Sequence, residues 1–140
     1  MSSALSKVSL GTIAIVSIVL WSPVSESQTP QSPNKASVCT TEAIRFMAGQ
    51  KITQQMTIKN DGGWCWMDGW AMPSTGMYLS ARDLTVTQQP RHGQVTVSDL
   101  DNHRIRTAYQ PEPDFSGKDS FVIQYAVMNS EKTVQITISK

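Results

Sequence analysis

Three tryptophans fall within seven residues, in the run Gly62-Gly63-Trp64-Cys65-Trp66-Met67-Asp68-Gly69-Trp70. Indole rings carry large apolar areas, and an exposed row of them can stack on sugar rings or anchor in a partner's pocket. In an extended chain Trp64 and Trp66 share one face while Cys65 points to the other. Two readings are open. Tryptophan can pack on sulfur inside a β-sandwich, or Trp64, Trp66 and Trp70 can form a surface for a glycan or a protein. The chain holds only one other cysteine, Cys39. A metal pair or a catalytic thiol is the alternative to a bridge. His92 and His103 lie far from both thiols in sequence, and two thiols alone do not fill a zinc site. In an exported chain a Cys39–Cys65 disulfide is therefore expected.

The remaining polar groups point to structural roles. Asp99, Asp101, Glu112, Asp114 and Asp119 could offer oxygens to calcium, but that ion takes six to eight, and no dense acidic loop supplies them. Capping of turns is the expectation for these carboxylates. Met67, Met72 and Met77 recur every five residues and thioethers suit Cu(I), yet no histidine or free thiol stands beside them. They are read as core fillers. Arg91, His92, His103, Arg104 and Arg106 are offset by Asp99 and Asp101, and Arg104 and Arg106 alternate with Ile105 toward a wet face. No Ser-His-Asp set, paired carboxylates or phosphate-cradling glycine loop occurs at recognisable spacing. Neither an enzyme, a cofactor nor a metal is expected.

Charge narrows the partners. Twelve basic against 11 acidic residues leave a net charge of +1, too little for binding nucleic acid by phosphate neutralisation. Lys7 precedes an apolar run from Val8 to Trp21, shorter than the roughly 20 residues a membrane span needs. Pro23 follows, and Ser25 and Ser27 place small side chains before Gln28. Residues 1–27 are thus read as a signal peptide, and the protein as periplasmic or secreted. Membrane attachment is expected only if that segment is kept. Residues 28–37 hold two prolines and no large apolar side chain, which reads as a flexible linker. The folded domain is expected over residues 38–140.

In that domain the apolar period is two. Val134, Ile136 and Ile138 alternate with polar residues, as do Phe121, Ile123, Tyr125 and Val127. Leu84 with Val86, Val95 with Val97, and Ile105 with Thr107 and Tyr109 continue the pattern. Ile44 with Phe46 and Met56 with Ile58 suggest two earlier strands. Turn residues separate these runs: Gly49-Gln50, residues 60–63, Pro90 to Gly93, residues 99–102 and Asn129-Ser130. No helical stripe competes. About seven short strands in about 100 residues predict an all-β, Ig-like sandwich.

The stretch from Gln89 to Ile138 holds Pro90, His92, Gly93 and Val95, then Tyr109, Pro111, Phe115, Gly117, Asp119 and Phe121. In residue types and spacing it resembles the C-terminal half of bacterial Ig-like and cadherin-like domains of exported proteins. The residues suggest why such a motif builds a fold. Pro111 and Pro113 end a strand so that the chain crosses to the other sheet. Gly117 takes a turn conformation that a side chain would forbid. Tyr109, Phe115 and Phe121 fill the core. The function implied is a non-catalytic envelope or extracellular module for interaction or structure, with an unidentified protein or glycan as partner. A carbohydrate-binding module using the tryptophans is the alternative.

Overall fold

The computed structural model describes residues 34–45, 47–70, 79–101 and 104–140. Residues 1–27, expected as a signal peptide, residues 28–33 of the stretch expected as a linker, Phe46, Met72, Met77 and His103 lie outside the described residues. Eight strands build two sheets, a sandwich without α-helix among the described residues. They are β1 (Cys39–Thr41), β2 (Lys51–Lys59), β3 (Cys65–Trp70), β4 (Leu84–Gln88), β5 (Gly93–Asp101), β6 (Arg104–Pro111), β7 (Gly117–Tyr125) and β8 (Ser130–Ser139).

One sheet has the order β1-β2-β8-β7-β4 and the other β3-β6-β5. Every pairing is antiparallel except β2 with β8, which run parallel from Lys51 opposite Glu131 to Lys59 opposite Ser139. The alternation seen in the sequence is the reason these strands stack. In β8, Val134, Ile136 and Ile138 turn inward, while Gln135, Thr137 and Ser139 stay exposed. Met56 and Ile58 of β2, Ile105 and Tyr109 of β6, and Phe121 and Ile123 of β7 meet them in one core. Pro111 closes β6 in the second sheet, and the chain re-enters the first sheet at Gly117, whose φ of 137° suits glycine alone.

The N-terminal edge departs from the expected pattern. Residues 42–45 are irregular, so Ile44 does not sit in a strand. Strand β1 lies just before them, where Cys39, Thr40 and Thr41 pair with Ile58, Thr57 and Met56. That register sets Cys39 beside Cys65, and the disulfide joins β1 of one sheet to β3 of the other. The alternation of β7 also stops at Tyr125. A 3-10 turn over Ala126–Met128 and a left-handed Asn129 reverse the chain, which leaves Val127 exposed and buries Met128.

Backbone bonding also begins inside the stretch read as linker. The Trp64 N–H donates to the Asn34 carbonyl at 2.7 Å, and the Ala36 N–H donates to the Trp64 carbonyl at 2.9 Å. Ala36 is buried, and Gly63 permits the contact because a Cβ there would collide with the Ala36 backbone.

Candidate functional site

The pleat of β3 sorts the aromatic run into two faces. Cys65 and Met67 turn into the core, so the inward positions of this strand belong to sulfur side chains and not to indoles. Trp66, Asp68 and Trp70 take the opposite face. Trp64 is half-buried, its backbone tied to Asn34 and Ala36. Trp70 is 68% exposed.

The neighbouring strand completes this face. Ala108, Arg106 and Arg104 of β6 stand opposite Trp66, Asp68 and Trp70. The Arg106 guanidinium lies 4.6 Å from the centre of the Trp66 ring, and the Lys35 ammonium lies 5.5 Å from it. Arg106 also donates two hydrogen bonds to the Asp68 carboxylate, at 2.8 and 2.9 Å. The Asp68 carboxylate raises the Arg106 pKa further, so the fork stays charged and pinned over the indole. Arg104 is bonded to Asp101 at 2.6 Å. Trp66 is therefore held in a cationic clamp, while Trp70 presents its ring to solvent.

The motif residues assemble at the opposite end of the second sheet, where β5 begins and β6 ends. Asp119 of β7 sits at the centre. Its carboxylate accepts the N–H groups of Arg91 and His92, each at 2.9 Å, that of Ser120 at 2.8 Å, and the Tyr109 hydroxyl at 2.9 Å. Burial would raise the Asp119 carboxyl, but these four donors outweigh it and hold the group below the usual aspartate value. Burial, aided by the Asp119 carboxylate, pushes the Tyr109 phenol far up. Gly93 lies against Tyr109, where a Cβ would stand 2.6 Å from its ring and 2.5 Å from the Gln110 carbonyl oxygen. His92 stacks on Phe115 at 4.0 Å, with Glu112 at 3.6 Å from its Nδ1. Pro111 pairs opposite Gly93, and Phe121 stacks on Tyr109 at 6.2 Å. Pro90 precedes the turn whose N–H groups Asp119 holds.

The other carboxylates are engaged locally. Asp99 accepts the Ala81 N–H at 2.7 Å, Asp101 meets Arg104, and Asp114 takes a left-handed turn with φ 65°. Among the described residues no three of His, Cys, Asp and Glu gather to hold a metal.

Three parts of this arrangement escape sequence reading. Lys35 joins the tryptophan face only through the fold, and although period two already sets Asp68 on the face of Trp66 and Trp70, nothing in the chain order links it to Arg106. Lys132, on the inner face of β8, is buried, with its Nζ 3.6 Å from the Met67 sulfur and 5.5 Å from the centre of the Tyr125 ring. Burial pushes its amine down to about 8. The only hint was a lysine at an apolar position of the β8 alternation.

Residues 74–139 match the bacterial Ig domain family. The match spans β4 to β8 and leaves β1, β2 and the tryptophan strand outside it. No curated protein sequence matches the chain. Among solved structures, the chain resembles one from the complex of PbICP-C with falcipain-2, at 16% identity and a TM-score of 0.42. The alignment covers 70% of this chain and 95% of that one.

Proposed function

We infer that this chain, whose C-terminal half is a bacterial Ig domain, serves as a non-catalytic exported module that holds a protein partner at the cell envelope. The contact surface is the outer face of β3 and β6. One observation carries this reading: Trp70 leaves 68% of its surface in water, on the strand face that also carries Trp66, the indole held by Arg106 and Lys35. Tryptophan flanked by arginine is the composition of interface anchors, and Arg104 stands opposite Trp70 as Arg106 stands over Trp66. The disulfide supports an oxidising compartment.

Two measurements test the proposal. N-terminal sequencing of the protein from its own cells should find Gln28 first. The Trp70→Ala variant should lose retention on an envelope fraction while its melting curve stays that of the parent. Retention that survives the substitution overturns the assignment of the surface.

The exposure of Trp70 also favours a second occupant, a glycan stacked on the indole. Affinity electrophoresis in soluble polysaccharide separates the two. Retardation that vanishes in Trp70→Ala selects the glycan, and unchanged mobility in every polysaccharide selects the protein.

A further inference from the structure

We propose that the open edge of β5 pairs with the same edge of a second copy of this chain, antiparallel about a two-fold axis at Thr96, so that two three-stranded sheets become one of six. A sheet edge presents unpaired backbone groups, and folded proteins usually blunt such edges with short strands, bulges, lysine, proline or a covering segment. Three of the four edges here are blunted. β1 has three residues, and β4 has five with a register shift between Val86 and Gln88. The free side of β3 is bridged by Lys35 at Trp64 and bonded to Asn34 and Ala36. β5 differs. It has nine residues with neither lysine nor proline. Its register shift between Asp99 and Asp101 and the bonds of Ser80 and Ala81 to Asp99 blunt only its C-terminal end, which leaves Gly93 to Ser98 open among the described residues. Its far side faces no strand among the described residues.

The side chains fit a copy of themselves. With Thr96 opposite Thr96 of the second copy, Val95 falls opposite Val97 and Gln94 opposite Ser98. Val95 and Val97 point inward yet stay only half-buried, whereas Ile105, Thr107 and Tyr109 on the same face of β6 are fully buried. Valine against valine would cover that remaining apolar area, and threonine opposite threonine is a favourable cross-strand pair. Charge agrees with this direction. Arg91 precedes the strand and Asp99 and Asp101 end it. Antiparallel self-pairing therefore sets the basic start of one copy against the acidic end of the other, with Arg91 of the second copy beside the Asp101–Arg104 pair. Parallel pairing would set like ends together. The contact is one strand wide, well below the ~1,600 Å² of a standard interface, so association depends on concentration. It is independent of any role for the tryptophans.

Sedimentation of the full chain and cysteine cross-linking test the proposal together. The parent should pass from monomer to dimer as concentration rises to about 100 µM. Thr96 is exposed, so Thr96→Lys should fold as the parent does, yet like charges facing each other across the axis should weaken dimerisation by about ten-fold or more. Cys39 and Cys65 are already bonded to each other, so one added thiol reports on the contact alone. Under mild oxidation Thr96→Cys should form a covalent dimer about ten-fold or more faster than Ser98→Cys, whose thiols the register holds apart. A parent that stays monomeric throughout overturns the proposal. So do equal cross-linking rates for the two cysteine variants, or a dimer unaffected by Thr96→Lys.

Discussion

Asp119 concentrates more of the fold in one side chain than any other carboxylate described. Its two oxygens satisfy two N–H groups of the turn before β5, one of its own strand and the Tyr109 hydroxyl. Removing the acceptor leaves three part-buried N–H groups without it and turns the Tyr109 hydroxyl to its other acceptor, the His92 carbonyl at 3.1 Å, and each bond lost costs about 1–3 kcal/mol. Asp119→Ala should therefore lower unfolding stability by about 3 kcal/mol or more, read as a shift of the urea midpoint. The lowered carboxyl pKa adds a pH signature. A depressed folded-state value means the stabilisation is complete above the unfolded-state pKa and is lost as pH falls through the folded one. The parent should thus lose stability below about pH 4, and Asp119→Asn should be less stable at neutral pH with a flatter acid limb. Lys132 carries the opposite sign. Its amine, pushed down to about 8 by burial, disfavours the folded state while protonated. That cost is full below pH 8 and fades as pH rises toward the ordinary lysine value of about 10.4. Lys132→Met should accordingly raise stability by about 1–3 kcal/mol at pH 7, and the two proteins should converge near pH 10 in denaturant titrations. A gain that persists unchanged at pH 10 would mean that packing, not charge, separates them.

Strands are the scale at which the sequence was most readable, because burial on one face writes a period of two directly into the chain. The alternations in β5, β6, β7 and β8 are of this kind, and the Pro111 crossing follows from proline's fixed φ. What stayed hidden depends on distant partners. β1 is too short to show a period and exists because it pairs with β2 and shares a disulfide with β3. The parallel partnership of β2 and β8 joins segments some 80 residues apart, and no local pattern encodes it. The tryptophan run shows the same limit. Period two separated Trp66 from Cys65, but which set faces inward is decided by the strand opposite. Gly93 illustrates how an element tolerates only one residue. A methyl group there would meet the Gln110 carbonyl oxygen at 2.5 Å and the Tyr109 ring at 2.6 Å, both fixed by the β5–β6 ladder and by Asp119. Gly93→Ala should cost about 2–3 kcal/mol. Differential scanning calorimetry should record a Tm roughly 10–20 °C lower, and a change within error would mean that the turn before β5 can move aside.

For the molecule as a whole, the question is how two sheets with different edges stay registered. The core joins them through Tyr109, Ile105 and Met67 on one side and Phe121, Ile123 and Ile136 on the other. The Cys39–Cys65 bond joins them again, at the edge where β1 and β3 lie. These ties act on different states. Core packing stabilises the folded chain, whereas a cross-link spanning 26 positions mainly restricts the unfolded one, by about 3 kcal/mol in the chain-entropy picture. Replacing both cysteines with serine should therefore leave the β-rich far-UV spectrum intact while lowering the urea midpoint. It should also raise the m-value, since the unlinked chain opens further and exposes more surface. The pair of readouts decides between two roles for the bridge. A lower midpoint with a larger m-value fits a staple on the unfolded ensemble, with the sandwich held by its core. Loss of the spectrum in the absence of denaturant would mean instead that β1 and β3 cannot align without sulfur, and that the N-terminal edge, which the family match does not reach, folds only once oxidised.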